Sequence, residues 1–421
     1  MKIAKGLMPL LLIVLAVTVL FGCSHTDKSD VRAVITNELD LLKNLDNYTT
    51  QKYVSYKELF PDATTEIKLS DEVKEVFSLF FQDFDYKILS VDVDNDNTTA
   101  TAKLNITTLD AKSLATDYSK ASLKSAILKA AASEEQTTEQ DTDSMEERYV
   151  ILDQLLKEND YDTVEQECTI ELRNNGTSKD EWEITRTHSL ENELVGGLIT
   201  YLSDNDLLSA EDTLTVYLNT LKSMNTKQMG SYLGIDSLLN TSDTDKNSIA
   251  TALVELVHNN FDFEITGSEI NGYEATVTSD ITTFDSDAIL DTYQKELDTY
   301  LASADAVIDG STKRYEKSLE MLLENIKSST ATVTSEATFH LKNDGVSWKL
   351  EDSGSTIGDA IFGNLSSSPV SSESDSSDAT NESDDSYDSD ASDTESTDDS
   401  EDSDGSENTS DFDSTDDTSE E

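Results

Sequence analysis

The run Ile106-Thr107-Thr108-Leu109-Asp110 returns further along the chain as Ile281-Thr282-Thr283-Phe284-Asp285. In both runs, residues typical of β-strands lead into an aspartate, a residue type that favours the N-cap of a helix. Each run therefore predicts a strand followed at once by a helix. The recurrence of this junction indicates two copies of one structural unit.

Other short segments recur in the same order, at an offset that drifts only slowly along the chain. Small insertions explain the drift in offset, whereas chance does not explain so many matches in register. We therefore predict a tandem duplication. The matched segments are Leu42-Lys43 with Leu221-Lys222, Phe84-Asp85-Tyr86 with Phe261-Asp262-Phe263, Arg148-Tyr149 with Arg314-Tyr315, Gly176 with Gly345, and Trp182 with Trp348.

Hydrophobic periodicity predicts the same element order in both copies, namely two helices, a hairpin, a long helical region and a second hairpin. Asp110 and Asp285 are expected to cap the long helical regions, with a polar loop at 134–143 in the first. Asn271-Gly272 predicts a type I′ turn. The hairpin strands are expected over residues 86–93 and 99–107, and over 263–270 and 274–282.

The closing strands of both copies alternate apolar and polar residues, over 164–172 and 332–341. Such alternation predicts one buried and one solvated face. The fold class is therefore α+β, with two tandem repeats, each a curved antiparallel sheet with helices packed on one face.

This organisation resembles tandem cystatin-like or nuclear-transport-factor-like modules of surface lipoproteins from low-GC Gram-positive bacteria. The resemblance covers residues 30–365 and is architectural. It implies a cupped sheet that can hold a small ligand or a partner segment. Because this fold hosts both enzymes and binding modules, the resemblance does not choose between them.

The N-terminus carries Lys2 and Lys5, an apolar run from Leu7 to Leu20, and Gly22-Cys23. Residues 20–23 resemble the bacterial lipobox, which implies lipid attachment at Cys23 and anchoring to the outer face of the cell membrane. The alternative is an ordinary secretory signal with an incidental cysteine. After the signal no apolar run approaches the length of a membrane-spanning helix, so lipid is the membrane attachment we expect.

The predicted boundaries are a lipoprotein signal peptide at 1–22, a linker at 23–29, a first module at 30–200, a second at 205–365 and a tail at 366–421. The tail contains many acidic residues and no lysine or arginine. Such a composition predicts disorder. The tail resembles the Ser-Asp stalks of Gram-positive surface adhesins, which implies spacing in the envelope; weak association with divalent cations or cationic partners is the alternative.

The net charge of −57 argues against binding of nucleic acids or anionic lipid headgroups. We expect cationic, neutral or metal-bridged partners, either an envelope protein or a small ligand.

Two repeated residue pairs are candidates for ligand binding. Arg148 and Arg314 could line the cup and bind a carboxylate. The alternative is that the aliphatic part of each arginine side chain packs on an apolar surface while its guanidinium pairs with a nearby acidic residue. Trp182 and Trp348 are expected to fill the core, with stacking on a sugar or peptide as the alternative.

Other reactive residue types have structural explanations. Cys168 is expected to point inward, because its repeat counterpart is Ala337. The four histidines are dispersed, so we expect no catalytic triad and no metal site. The acidic run 92–96 resembles a calcium loop, but Asn97 stands where the loop needs glycine and Lys103 where it needs glutamate, which favours a hairpin tip.

The repeated aspartates offer one further alternative. Asp85 with Asp262, and Asp110 with Asp285, could act as paired catalytic carboxylates, yet junction and capping roles explain them.

We therefore expect a non-enzymatic, lipid-anchored protein that binds a partner or ligand, or scaffolds the envelope, without a cofactor. The alternatives are an extracytoplasmic hydrolase or isomerase with an acidic pocket, and a purely structural spacer.

Overall fold

The computed structural model describes residues 24–46, 52–54, 56–61, 71–132, 144–176, 182–235 and 244–365. The predictions for the signal peptide, Cys23, the loop at 134–143 and the tail concern residues outside these ranges. All described residues belong to one compact unit that ends at Ser368.

Two four-stranded antiparallel sheets form the framework, in the orders β1-β2-β3-β4 and β5-β6-β7-β8. They confirm the α+β prediction, and the hairpin strands extend slightly beyond the predicted limits. The strands are β1 (Asp85–Val93), β2 (Thr99–Leu109), β3 (Thr163–Asn174), β4 (Trp182–Ile184), β5 (Asp262–Asn271), β6 (Glu274–Phe284), β7 (Thr332–Asn343) and β8 (Trp348–Leu350).

The helices are numbered in chain order and are grouped here with the sheet that they accompany. With β1–β4, which we call the first module, lie α1 (Ser24–Lys43), α2 (Tyr56–Leu59), α3 (Asp71–Phe80), α4 (Ala111–Ala132), α5 (Met145–Glu158), α6 (His188–Leu194) and α7 (Leu198–Leu202). With β5–β8, the second module, lie α8 (Ala210–Ser223), α9 (Thr226–Tyr232), α10 (Thr244–Asn260), α11 (Ser286–Leu301), α12 (Ala304–Ser328) and α13 (Ser353–Phe362).

The two sheets share a local irregularity as well as their strand order. The β1–β2 register shifts between Ile88 and Ser90, and the β5–β6 register shifts between Ile265 and Gly267. Such an irregularity adds twist to an edge strand. Both edge strands thus depart from regular pairing at matching positions.

One face is buried along β2 and β6 and along the second half of β3 and β7, as the alternation predicts, whereas Val164 and Val333, predicted on the same face, are 45% and 41% exposed. On the inner face of the first sheet, the central side chains of β2 and β3 expose 3% of their surface or less: Ala100, Ala102, Leu104, Ile106, Cys168, Ile170 and Leu172. The helix α1 packs against β1 and β4, and α6 packs against β3. The core of the first module therefore lies between its sheet and these helices.

The repeated aspartates Asp110 and Asp285 cap the helices that follow β2 and β6. The side chain of Asp110 accepts a hydrogen bond from the backbone N–H of Ser113 at 3.2 Å, and that of Asp285 accepts one from Ala288 at 3.0 Å. Their own N–H groups donate to the carbonyl oxygens of Asp162 and Ala331. The predicted capping role is confirmed at both positions.

Two local details differ from expectation. The β5–β6 loop consists of Gly272 and Tyr273, because Asn271 is the last paired residue of β5. Only Gly272 of the two has a positive φ, which is the type II′ pattern rather than type I′.

At the N-terminus, α1 already begins at Ser24, so most of the predicted linker is helical. The module boundaries themselves stay a prediction.

The helix α4 joins the two modules, since it packs against α7 and also against α8 and α9. Gly196, between α6 and α7, has a φ of +65° beside the end of β2. A Cβ atom there would lie 2.7 Å from Oγ1 of Thr108. The connection therefore needs a glycine both for its backbone angle and for close packing.

Replacing Gly196 by alanine is expected to lower the free energy of unfolding by at least about 2 kcal/mol, because backbone strain and steric overlap add. Gly345→Ala is the matched control. Its φ is +89° but nothing lies within 4 Å of the added Cβ. Strain alone is therefore expected there, at about 1 kcal/mol. Urea denaturation followed by tryptophan fluorescence measures both, and equal losses would contradict the packing role of Gly196.

Candidate functional site

The two tryptophans lie in the core. Trp182 and Trp348 begin β4 and β8, and only 6% and 4% of their surface is exposed. Burial of an indole contributes a large apolar area to the core. A ligand could stack on either ring only after the surrounding side chains moved.

The two arginines have different surroundings. Arg148 is half-buried in α5, with its guanidinium 5.2 Å from the ring centroid of Phe60. Arg314 is exposed on α12, where its Nε donates to the carbonyl oxygen of Gly310 at 3.1 Å. The backbone at Gly310 is non-helical, so this bond spans a kink. The arginines therefore do not form equivalent sites, and carboxylate binding stays a prediction.

The repeated Lys and Asp pairs connect helices to strands. Lys43 lies 2.7 Å from Asp85, and Lys222 lies 2.8 Å from Asp262. In both cases the lysine hydrogen bond is the main cause that holds the pKa of the aspartate below its ordinary value. A carboxylate held ionised by a lysine is a poor proton donor, so these pairs fit a junction role better than acid catalysis.

Cys168 is a buried thiol on β3. Burial is the main cause that raises its pKa far above the ordinary value, and the nearby carboxylate of Glu193 adds to the effect. A raised pKa disfavours the nucleophilic thiolate. Its surroundings therefore suit a small core residue.

The acidic run at 92–96 forms a hairpin turn. Asn97 has a positive φ of 55°, and Thr98 donates from its hydroxyl to Asp96 at 2.9 Å. Asp94 accepts a hydrogen bond from the hydroxyl of Thr99. These contacts stabilise the turn, as the preference for a hairpin tip predicts.

An open acidic groove of about 520 Å³ lies where β3 approaches the start of α4. Asp110 caps α4 from this groove, and Asp117 accepts from the hydroxyl of Tyr161 at 3.1 Å. Burial, with a contribution from Asp117, raises the pKa of Tyr161 to about 12. The groove is lined by Asp110, Lys112, Ser113, Thr116, Asp117, Asn159, Asp160, Tyr161 and Asp162.

A second cluster brings a histidine beside two glutamates. One ligand atom from each of Glu58, His188 and Glu191 lies within 4.8 Å of the others. Nδ1 of His188 is 3.5 Å from Oε2 of Glu58, and buried Glu191 pairs with Nε of Arg186. These are residue types that bind metal ions, whereas the dispersion of the histidines along the sequence predicted no metal site.

Two of the three residues, His188 and Glu191, could have been identified from the local sequence. Thr187 caps α6 by accepting from the N–H of Leu190 at 3.1 Å, and His188 and Glu191 follow with the i, i+3 spacing. That spacing places two side chains on one side of a helix. Glu58 lies far before His188 in the chain, so only the fold could bring it there.

The other described histidine rings have isolated polar contacts. Nε2 of His258 lies 2.9 Å from the carbonyl oxygen of Met224, and Nδ1 of His340 lies 3.5 Å from Oγ1 of Thr276. Each ring therefore has a local structural partner.

Comparisons with known proteins give one structural likeness. No protein-family model and no curated protein matches the chain. A "putative lipoprotein" (ycdA) from Bacillus subtilis is similar at 13% identity, over 66% of this chain and 96% of that protein, with a TM-score of 0.24. A likeness this low carries no argument about function.

Among the described helices, none combines the length and hydropathy needed to cross a membrane.

In the full chain carrying Cys23→Ser, native Cys168 is expected to react with iodoacetamide much more slowly than in urea, by a factor of more than about 100 at mildly alkaline pH, because burial suppresses its thiolate. Mass spectrometry of the alkylated peptide measures both rates. Glu193→Gln is the control: protection should persist, since burial is the main cause. Similar rates in folded and unfolded protein would contradict the core role.

Proposed function

We propose that the protein is an extracytoplasmic lipoprotein, anchored by lipid on Cys23 to the outer face of the cell membrane, which binds an envelope partner or small ligand without catalysis. The observation that carries this proposal is the N-terminal pattern, in which Gly22-Cys23 follows two lysines and an apolar run. Its two modules are proposed to descend from one duplicated unit.

The position of α1 gives the anchor a structural consequence. This helix begins at Ser24, directly after Cys23, and buries Val31, Ile35, Leu39 and Leu42 in the core. At about 1.5 Å per helical residue, Val31 lies only about 10 Å along the helix from Ser24, the residue that follows Cys23 in the sequence. A lipid on Cys23 would therefore hold the first module close to the bilayer surface.

The covered inner face of the first sheet supports binding at an outer surface rather than chemistry in a closed cup. Its central side chains are fully packed, so a ligand there would have to displace the core. In the open groove, Asp110 and Asp117 already serve structural hydrogen bonds. These features favour a binding role over a hydrolase or isomerase, and they also support a second candidate, a structural spacer.

The charge of the chain supports a particular class of partner. With 87 acidic against 30 basic residues, its surface repels anions. A partner with a positive or neutral surface is therefore proposed.

Replacing Cys23 by serine is expected to move the protein from the membrane fraction to the soluble or secreted fraction, because the acyl attachment atom is lost. Mass spectrometry of the wild-type N-terminus should find a diacylated Cys23. Cys168→Ala is the matched control and should remain in the membrane fraction, since alanine occupies the corresponding position 337 of the second module. An unmodified wild-type N-terminus would contradict the anchor.

The binding role is tested by cross-linking the detergent-extracted native protein at low and high salt. A partner held by exposed carboxylates should be captured at low salt and lost at about 1 M salt, where charges are screened within about 3 Å. Capture of no protein or small molecule at either salt concentration would favour the spacer.

A further inference from the structure

Three metal-ligating side chains converge beside the start of α6. Around a tetrahedral zinc ion with bonds of about 2.0–2.2 Å, two ligand atoms lie about 3.3–3.6 Å apart. His188 and Glu58 already have this separation, at 3.5 Å, and Glu191 needs to approach by at most about 1.5 Å. We propose that Glu58, His188 and Glu191 bind one divalent transition-metal ion of the Zn²⁺ type.

Two packed elements hold the ligands in place. His188 and Glu191 project from the first turn of α6, which is fixed by the Thr187 cap. Glu58 is carried by α2, which packs against α7 and ends at buried Leu59; the next residue, Phe60, is also buried. The ligands therefore converge before any ion binds, which lowers the ordering cost of binding.

The exposure of the three side chains suits an ion that retains a water ligand. Glu191 is 5% exposed and forms the floor of the cluster, whereas Glu58 and His188 are 35% and 69% exposed. An ion can reach the cluster from solvent, and water can complete a tetrahedron with the three side chains.

Arg186 has a defined role in this arrangement. Its Nε pairs with Oε1 of Glu191, which neutralises this buried carboxylate when no ion is bound. The same positive charge opposes the ion, so Arg186 also limits metal affinity.

The second module shows that the fold itself does not need these ligands. When Trp182 is matched with Trp348, the positions of His188 and Glu191 correspond to Gly354 and Ile357. A side chain at Gly354 would collide with the carbonyl oxygen of Tyr232, so the second module excludes a histidine there. The cluster is therefore specific to the first module.

The ligand set also selects the class of ion. One imidazole and two carboxylates suit Zn²⁺, Co²⁺ or Ni²⁺, whereas Ca²⁺ takes a larger shell made of oxygen ligands alone. The acidic tail offers only carboxylates, so excess Mg²⁺ can occupy the tail without competing strongly at a site that contains histidine.

The test is calorimetric titration of Zn²⁺ into the full chain, purified from membranes in detergent and freed of metal, with Mg²⁺ in large excess. One Zn²⁺ per chain is expected to bind, and His188→Ala and Glu58→Gln should each weaken its binding at least about tenfold. His340→Ala is the matched control, because it removes an exposed imidazole outside the cluster and should bind like wild type. Circular dichroism verifies that each variant is folded.

Two further measurements separate a metal site from an accidental ion-pair cluster. Co²⁺ should give visible absorption bands of a tetrahedral complex in the wild type, and His188→Ala should abolish them. Arg186→Gln should tighten Zn²⁺ binding, because it removes the opposing charge. Absence of a Mg²⁺-resistant Zn²⁺ site, or wild-type binding by folded His188→Ala, would overturn the proposal; unchanged or weaker binding by Arg186→Gln would overturn the role given to that arginine.

Discussion

Burial of the central strands on one face of each four-stranded sheet is the constraint on which the other features of this protein depend. In β2, and in β3 from Cys168 to Leu172, alternate residues expose 3% of their surface or less. A register shift by a single position in either strand would turn this apolar set towards solvent, so burial also determines the register. The inward position of Cys168 and its high pKa follow from the same constraint.

The junctions between helices and strands are repeated with similar geometry in both modules. Asp110 and Asp285 cap helices directly after central strands, while Lys43 and Lys222 hold the first aspartate of each edge strand. The lysine pairs are exposed, so they contribute little to stability and mainly orient the chain. Repetition of both contacts gives a structural reason for the recurrence of these aspartates in the two modules.

The two modules differ in the side chains around the proposed metal site and around the repeated arginines. His188, Glu191 and their partner Glu58 belong to the first module alone, and the corresponding backbone of the second module leaves no room for a side chain at Gly354. The two repeated arginines likewise have unlike neighbours. The modules thus share a framework, whereas the side chains at these matched positions differ.

Local patterns in the sequence were sufficient for much of the fold. The strands, their succession along the chain and the aspartate caps could be predicted, because alternation and capping depend on residues within a few positions of each other. The β5–β6 turn type was not predicted correctly, since the pairing of Asn271 with Glu274 sets which residues form the loop. The packing of α4 across both modules, and the approach of Glu58 to His188 from a distant part of the chain, were decided by tertiary structure. Such contacts form only when elements that are distant in the sequence bury their apolar faces together. Local residue patterns therefore do not predict which of these elements meet.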